Sequence, residues 1–85
     1  MSVTDAEILE FIQAQAHEIL DADPAEVTPE VSLAKDFDAD SIDVIEMASA
    51  AERRWDITIE DHEVYDLTCV GDFVHLIAGK VAASG

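Results

Sequence analysis

One cysteine, two prolines, three glycines and four basic side chains are what this 85-residue sequence has little of, and each scarcity excludes something. A lone Cys69 rules out an internal disulfide framework and any multi-cysteine metal site, and it fits a reducing compartment. The four Lys plus Arg stand against 20 Asp plus Glu, for a formal charge of -16. A field of that sign repels phosphate backbones and anionic headgroups, which excludes nucleic acid and membrane surfaces as partners. Proteins with basic patches gain fast, salt-sensitive encounter instead. No stretch approaches the run of about 18 apolar residues that spans a bilayer, and residues 1–10 lack a basic region followed by an apolar one. The expectation is a cytoplasmic, monomeric protein with one domain over residues 1–85.

Apolar residues make up 49% of the chain, but 13 of them are alanine, so the large core formers are few and the core is expected to be thin. Disorder is excluded by spacing, because the Ile, Leu, Val and Phe residues recur at helical intervals. Thr4 followed by Glu7 reads as a capping box, opening a helix to about Leu20 that buries Ile8, Phe11, Ile12, Ala16, Ile19 and Leu20. Residues 21–40 hold Pro24, Pro29 and isolated anchors at Val27, Val31, Leu33 and Phe37. They read as a long pinned connection with one short helical turn near Leu33. A second helix fits Ser41 to Trp55, capped by Asp40 or Ser41, with Ile42, Ile45, Ala48, Ala50, Ala51 and Trp55 available for burial. Arg53 and Arg54 in its last turn complement the helix dipole. Ile57 and Ile59 alternate with Thr58 but have no strand to pair with and read as loop. A short helix over residues 60–66 would bury Val64 with Tyr65 or Leu67, and Thr68 would cap a last helix carrying Val70, Phe73, Val74, Ile77 and Val81. The fold class is therefore all-α, a four-helix bundle of three longer helices and one short third one, with a long first loop.

Chemistry concentrates in residues 36–43. Asp36, Asp38 and Asp40 have the one, three, five spacing of an EF-hand, but Ser41 stands where a glycine must turn and Met47 where a bidentate glutamate is needed. That leaves a small calcium-binding adaptor as a weak alternative. Ser41 as a hydrolytic nucleophile has no Gly-x-Ser-x-Gly elbow, and no histidine is placed beside it by spacing. In the third reading Ser41 is modified: a phosphodiester on its hydroxyl would lie at the positive end of the second helix, near free backbone N–H groups. Asp40 and Asp43 oppose a phosphate electrostatically, so their value lies in recognition by a modifying enzyme or its metal ion.

Asp40-Ser41-Ile42, opening an acidic helix after a long loop, resembles the Asp-Ser-Leu signature of acyl carrier proteins. The Val27-Thr28 pair, Glu46 and the Thr68-x-Val70 helix start resemble the same family, over nearly the whole chain. The resemblance implies a carrier and not an enzyme. A phosphopantetheinyl transferase would attach 4'-phosphopantetheine from coenzyme A to Ser41, and the arm's thiol would carry acyl groups as thioesters. Ketosynthases, acyltransferases and ketoreductases of fatty-acid or polyketide synthesis would dock through basic patches. By position the docking residues would be Asp40, Asp43, Glu46 and Glu52, with Ile42 and Met47 as apolar contacts and Met47 equally a core residue. The family commonly has Gly-Ala-Asp-Ser-Leu; here Asp38 replaces the glycine and Ile42 the leucine. Arg53 and Arg54 stand where fatty-acid carriers usually continue the acidic run, so this end of the helix would address different partners, which leans the reading toward polyketide or other specialised metabolism. A peptidyl or aminoacyl carrier is the nearest rival, and Asp40 before the serine argues against it. Ala48, Ala50 and Ala51 admit either a roomier acyl groove or closer helix packing. Cys69, Trp55, His17, His62 and His75 read as ordinary core or boundary residues.

Overall fold

The computed structural model describes residues 3–84 and opens with helix α1, Asp5–Leu20. The Thr4 hydroxyl accepts from the Glu7 backbone N–H at 3.2 Å, so one half of the expected capping box is made. Ile8, Ile12 and Ala16 face inward, and the two isoleucines, at most 1% exposed, contribute about 1.5–3 kcal/mol each by burial. The helix stops at Asp21, whose left-handed backbone, φ 57°, turns its N–H back onto the Ala16 and His17 carbonyls.

The long connection contains two short elements where one was expected. Pro24–Glu26 form a 3-10 turn capped by Asp23, and Leu33–Asp36 form helix α2, at whose start the Ser32 hydroxyl accepts from Lys35 N–H at 3.2 Å and the Asp36 carboxylate accepts from Ser32 N–H at 2.7 Å. Among the described residues the bundle has five helices when α2 is counted, and α2 is the short turn expected near Leu33 within the first loop, so three longer helices and a short third one stand as read; the side-chain caps let a single turn stand alone. Val27 and Leu33 are buried as expected, with Val31 and Phe37 half-buried. Polar straps also hold this segment. The Gln13 amide donates to the Val27 carbonyl at 2.9 Å, Val70 N–H to Val31 at 2.8 Å and Gly71 N–H to Pro29 at 2.9 Å. At Gly71 a Cβ would stand 3.2 Å from the Pro29 oxygen, so the close approach of the two backbones favours glycine there.

Helix α3 covers Ser41–Trp55, α4 Asp61–Tyr65 and α5 Val70–Ser84. α1 packs on α5 and α3, and α3 on α4. Trp55 meets Phe11 edge to face at 4.9 Å, which locks the end of α3 onto α1. Ile57 and Ile59 are both buried in an irregular segment, which explains their alternation without a strand. Two expectations are corrected and one alternative is decided. Ile42, a candidate for burial, is 64% exposed, and of the alternatives Tyr65 and Leu67 it is Leu67 that packs on the core while Tyr65 is 63% exposed. The α4 turn presents only Val64 fully to the core. Thr68 does not cap α5 as an acceptor: its hydroxyl and its N–H both donate to Asp72, because the helix begins at Val70. Those bonds hold the Asp72 carboxyl below its usual range, as the Lys80 ammonium, 2.9 Å away, does for Glu63.

Asp21 and Asp56 each hold a left-handed backbone, φ 57° and 53°, at a helix C-terminus. A β-carbon is disfavoured there, and a carboxylate faces the negative end of the dipole. Replacing either by glycine is expected to raise stability by about 0.5–1 kcal/mol, after subtracting the entropy glycine adds to the unfolded chain, as read by urea denaturation.

Candidate functional site

Ser41 is the first residue of α3 and its side chain is exposed. Asp40 precedes it in extended geometry, and its carboxylate accepts from the backbone of Ile42, at 3.2 Å, and of Asp43. The Asp43 carboxylate returns to Asp40 N–H at 3.1 Å. This reciprocal box fixes the helix start beneath the serine. It also corrects an expectation, since two N–H groups thought open to an anion are already taken by Asp40. The Ser41 hydroxyl donates to Asp40 Oδ1 at 3.3 Å, a loose contact that orients it without burying it. Two residues earlier Asp38 has φ 56°, the left-handed conformation that suits the glycine common at this position in the family that the motif resembles; aspartate tolerates it better than most side chains.

Beside Ser41 lies a cavity of about 190 Å³ between α2, α3, α4 and the start of α5. Leu33, Val44, Val64, Leu67 and Phe73 give it apolar walls, and Ser32, Ser41, Thr68 and Cys69 add polar groups. Leu33, Val64 and Phe73 are buried while Ser41, Tyr65 and Thr68 are exposed, so the cavity opens to solvent on the Ser41 side. For scale, an engineered apolar cavity of about 150 Å³ holds a benzene ring. Ala48, Ala50 and Ala51 are not among the lining residues; Ala48 and Ala51 are packed in the core at 3% and 0% exposure, so the alanines serve close packing. Cys69, half-buried, lines the wall.

The calcium-loop reading finds no support in the geometry. Asp36 accepts from Ser32 N–H and Asp40 caps α3, so their carboxylates are turned to separate tasks. Among the described residues no three His, Cys, Asp or Glu side chains converge as metal ligands.

The docking residues separate in the fold. Glu46 and Arg53 are exposed, and Ile42 stands out beside Ser41. Asp40 and Asp43 are partly engaged by the capping box. Met47 is 1% exposed, so the docking assignment gives way to the core one. Glu52 is half-buried, and its carboxylate accepts from Ile59 N–H at 3.1 Å, pinning the segment after α3 instead of facing outward. Sequence reasoning missed the Gln13 and Glu52 straps, both polar residues next to apolar stripes.

Residues 10–77 match the family model described as a phosphopantetheine attachment site. The chain is 40% identical over 81 residues to an acyl carrier protein of Thermosynechococcus vestitus, covering 95% of this chain and 100% of that one. An acyl carrier protein of Helicobacter pylori is 43% identical over 70 residues, covering 82% and 90%. In shape the chain is similar to the solution structure of hexanoyl acyl carrier protein from the actinorhodin polyketide synthase of Streptomyces coelicolor, with TM-score 0.77, 20% identity and coverage of 100% and 98%. The fold and the sequence therefore define a phosphopantetheine-bearing carrier. The chain belongs to the acyl carrier protein family: it is not an enzyme, it carries acyl groups on covalently attached 4'-phosphopantetheine, and it works with a phosphopantetheinyl transferase and synthase enzymes. No helix among the described residues is long and apolar enough to cross a membrane.

Proposed function

We propose that Ser41 is the attachment residue and that the chain serves a dissociated fatty-acid or polyketide pathway of the cytoplasm. The observation that carries this reading is an exposed hydroxyl on the first residue of a long helix, at the open side of a small apolar cavity. An attachment point needs an oxygen that another enzyme's active site can surround, and Ser41 has its hydroxyl outside the core with a single loose bond to Asp40. The box beneath it fixes the backbone from which that oxygen projects. When bound, the 4'-phosphopantetheine supplies a terminal thiol on which acyl groups are held as thioesters. The chain's own residues do the rest: Asp40 orients the hydroxyl, the negative field around it attracts cationic partners, and the cavity shelters a short apolar segment from water.

Asp40, Ile42, Asp43, Glu46 and Arg53 form the surface that ketosynthases, acyltransferases and the transferase meet. The change from acidic to basic side chains along α3 supports the lean toward polyketide or other specialised metabolism. Incubation with coenzyme A and a phosphopantetheinyl transferase is expected to add one phosphopantetheine to the wild-type mass and none to Ser41→Ala. An alanine variant that still gained the group would reject Ser41 as the site.

A further inference from the structure

The outer face of α3 changes charge sign along its length. Ile42, Glu46, Ser49 and Arg53 recur at steps of four, three and four, and so share one stripe. Met47, Ala48 and Ala51, the buried residues of the helix, lie on the opposite side. The stripe begins with an apolar side chain that is 64% exposed, continues with an exposed carboxylate, and ends with an exposed guanidinium. Asp38, Asp40 and Asp43 reinforce the negative first half. Only four basic residues exist in the chain, and two of them close this helix. Lys80 is paired with Glu63, and Arg54 lies 5.5 Å from the centre of the Trp55 ring. Among the described residues Arg53 is exposed and has no such partner.

We propose that Arg53 sets the register in which a ketosynthase docks on this stripe: the partner surface that receives Ile42, Asp40 and Glu46 carries a carboxylate opposite Arg53. The proposal rests on the carrier reading above and assigns the partner's surface. At about 1.5 Å per residue the carboxylate lies roughly 16 Å along the helix from the point that receives Ile42. A uniformly acidic helix on a basic patch defines attraction but leaves direction and register weakly determined. A sign change along the stripe penalises the reversed and the shifted pose, because each brings like charges together. Arg53 is thus a specificity-determining residue, set apart from the attachment chemistry.

The sign of the effect makes the test sharp. Arg53→Glu makes the whole chain more negative, so a partner with cations alone would bind the variant more tightly, whereas a partner with a carboxylate at that point would bind it less tightly. Binding of the unloaded chain to an immobilised discrete ketosynthase is measured for wild type, Arg53→Glu, Arg53→Lys and Arg54→Glu, with circular dichroism melts to show that each variant is folded. Arg53→Glu is expected to weaken binding at least about tenfold, as one opposed charge contact demands. Arg53→Lys should stay near wild type, and Arg54→Glu, which makes the same change of net charge off the stripe, should bind as tightly as wild type or more tightly. Changing the facing carboxylate of the ketosynthase to lysine should restore the Arg53→Glu variant. Equal or tighter binding by Arg53→Glu, or a wild type that binds no ketosynthase, overturns the proposal. The unloaded chain is used so that failure of Ser41 to take the arm, which intact mass reports separately, bears on the carrier reading alone.

Discussion

Met47→Ala is expected to lower stability by about 2–5 kcal/mol, while Ile42→Ala stays within about 0.5 kcal/mol of wild type. The two apolar residues stand five apart on the same helix, yet one is 1% and the other 64% exposed. Removing the Met47 side chain takes its thioether stem out of the centre of the α3 contact with the core and leaves a void that close-packed neighbours fill only in part. Removing the Ile42 side chain takes away surface that water already reaches. Domains carry about 0.05–0.15 kcal/mol of stability per residue, so the first change consumes much of what a chain of this length has. Urea unfolding checks both. A small effect at Met47 would mean that its side chain leaves the core readily and is available to partners after all.

The second large effect comes from ionic strength. The excess of 16 negative charges is held within a radius of gyration of 11.6 Å. A like-charge pair 10 Å apart in water costs about 0.4 kcal/mol before screening. Folding brings many such pairs to that range, and raising ionic strength from about 0.01 M to 0.15 M shortens the screening length from about 30 Å to 8 Å. Stability is expected to rise by roughly 2–3 kcal/mol, which for a domain of this size is a Tm increase of about 10–20 °C. Magnesium should reach the same gain at lower concentration through its double charge. A Tm that does not change between low salt and 0.15 M would show that the carboxylates are spaced widely enough to ignore one another.

Much of the fold was legible because its causes are local. The limits of α3 follow from Asp40 as an acceptor at one end and from the apolar period that runs to Trp55 at the other, and both are written in adjacent residues. Ile57 and Ile59 were readable as loop because a strand without a partner cannot satisfy its backbone. What escaped depends on contacts across the chain. The bond from Gln13 to Val27 and the one from Glu52 to Ile59 join residues 14 and seven apart, and nothing in either neighbourhood marks those amides and carboxylates as structural. Ser41 stood out by motif, whereas the division between Met47 inside and Glu46 outside required the rotation of α3 against α1. Thr68 misled because a threonine before a helix has two hydrogen-bonding modes, and the donor mode won once Asp72 stood within reach.

The cavity beside Ser41 has two kinds of boundary. The sides given by Val44 and Phe73 belong to fifteen-residue helices, while those given by Leu33 and Val64 belong to helices of four and five residues. A single turn has little cooperative strength of its own and opens at lower free energy than the long elements around it. The vessel therefore has stiff sides and yielding ones: a bulkier apolar guest is expected to displace α2 or α4 by small local adjustments while the long helices, Ser41 on one of them, keep their places.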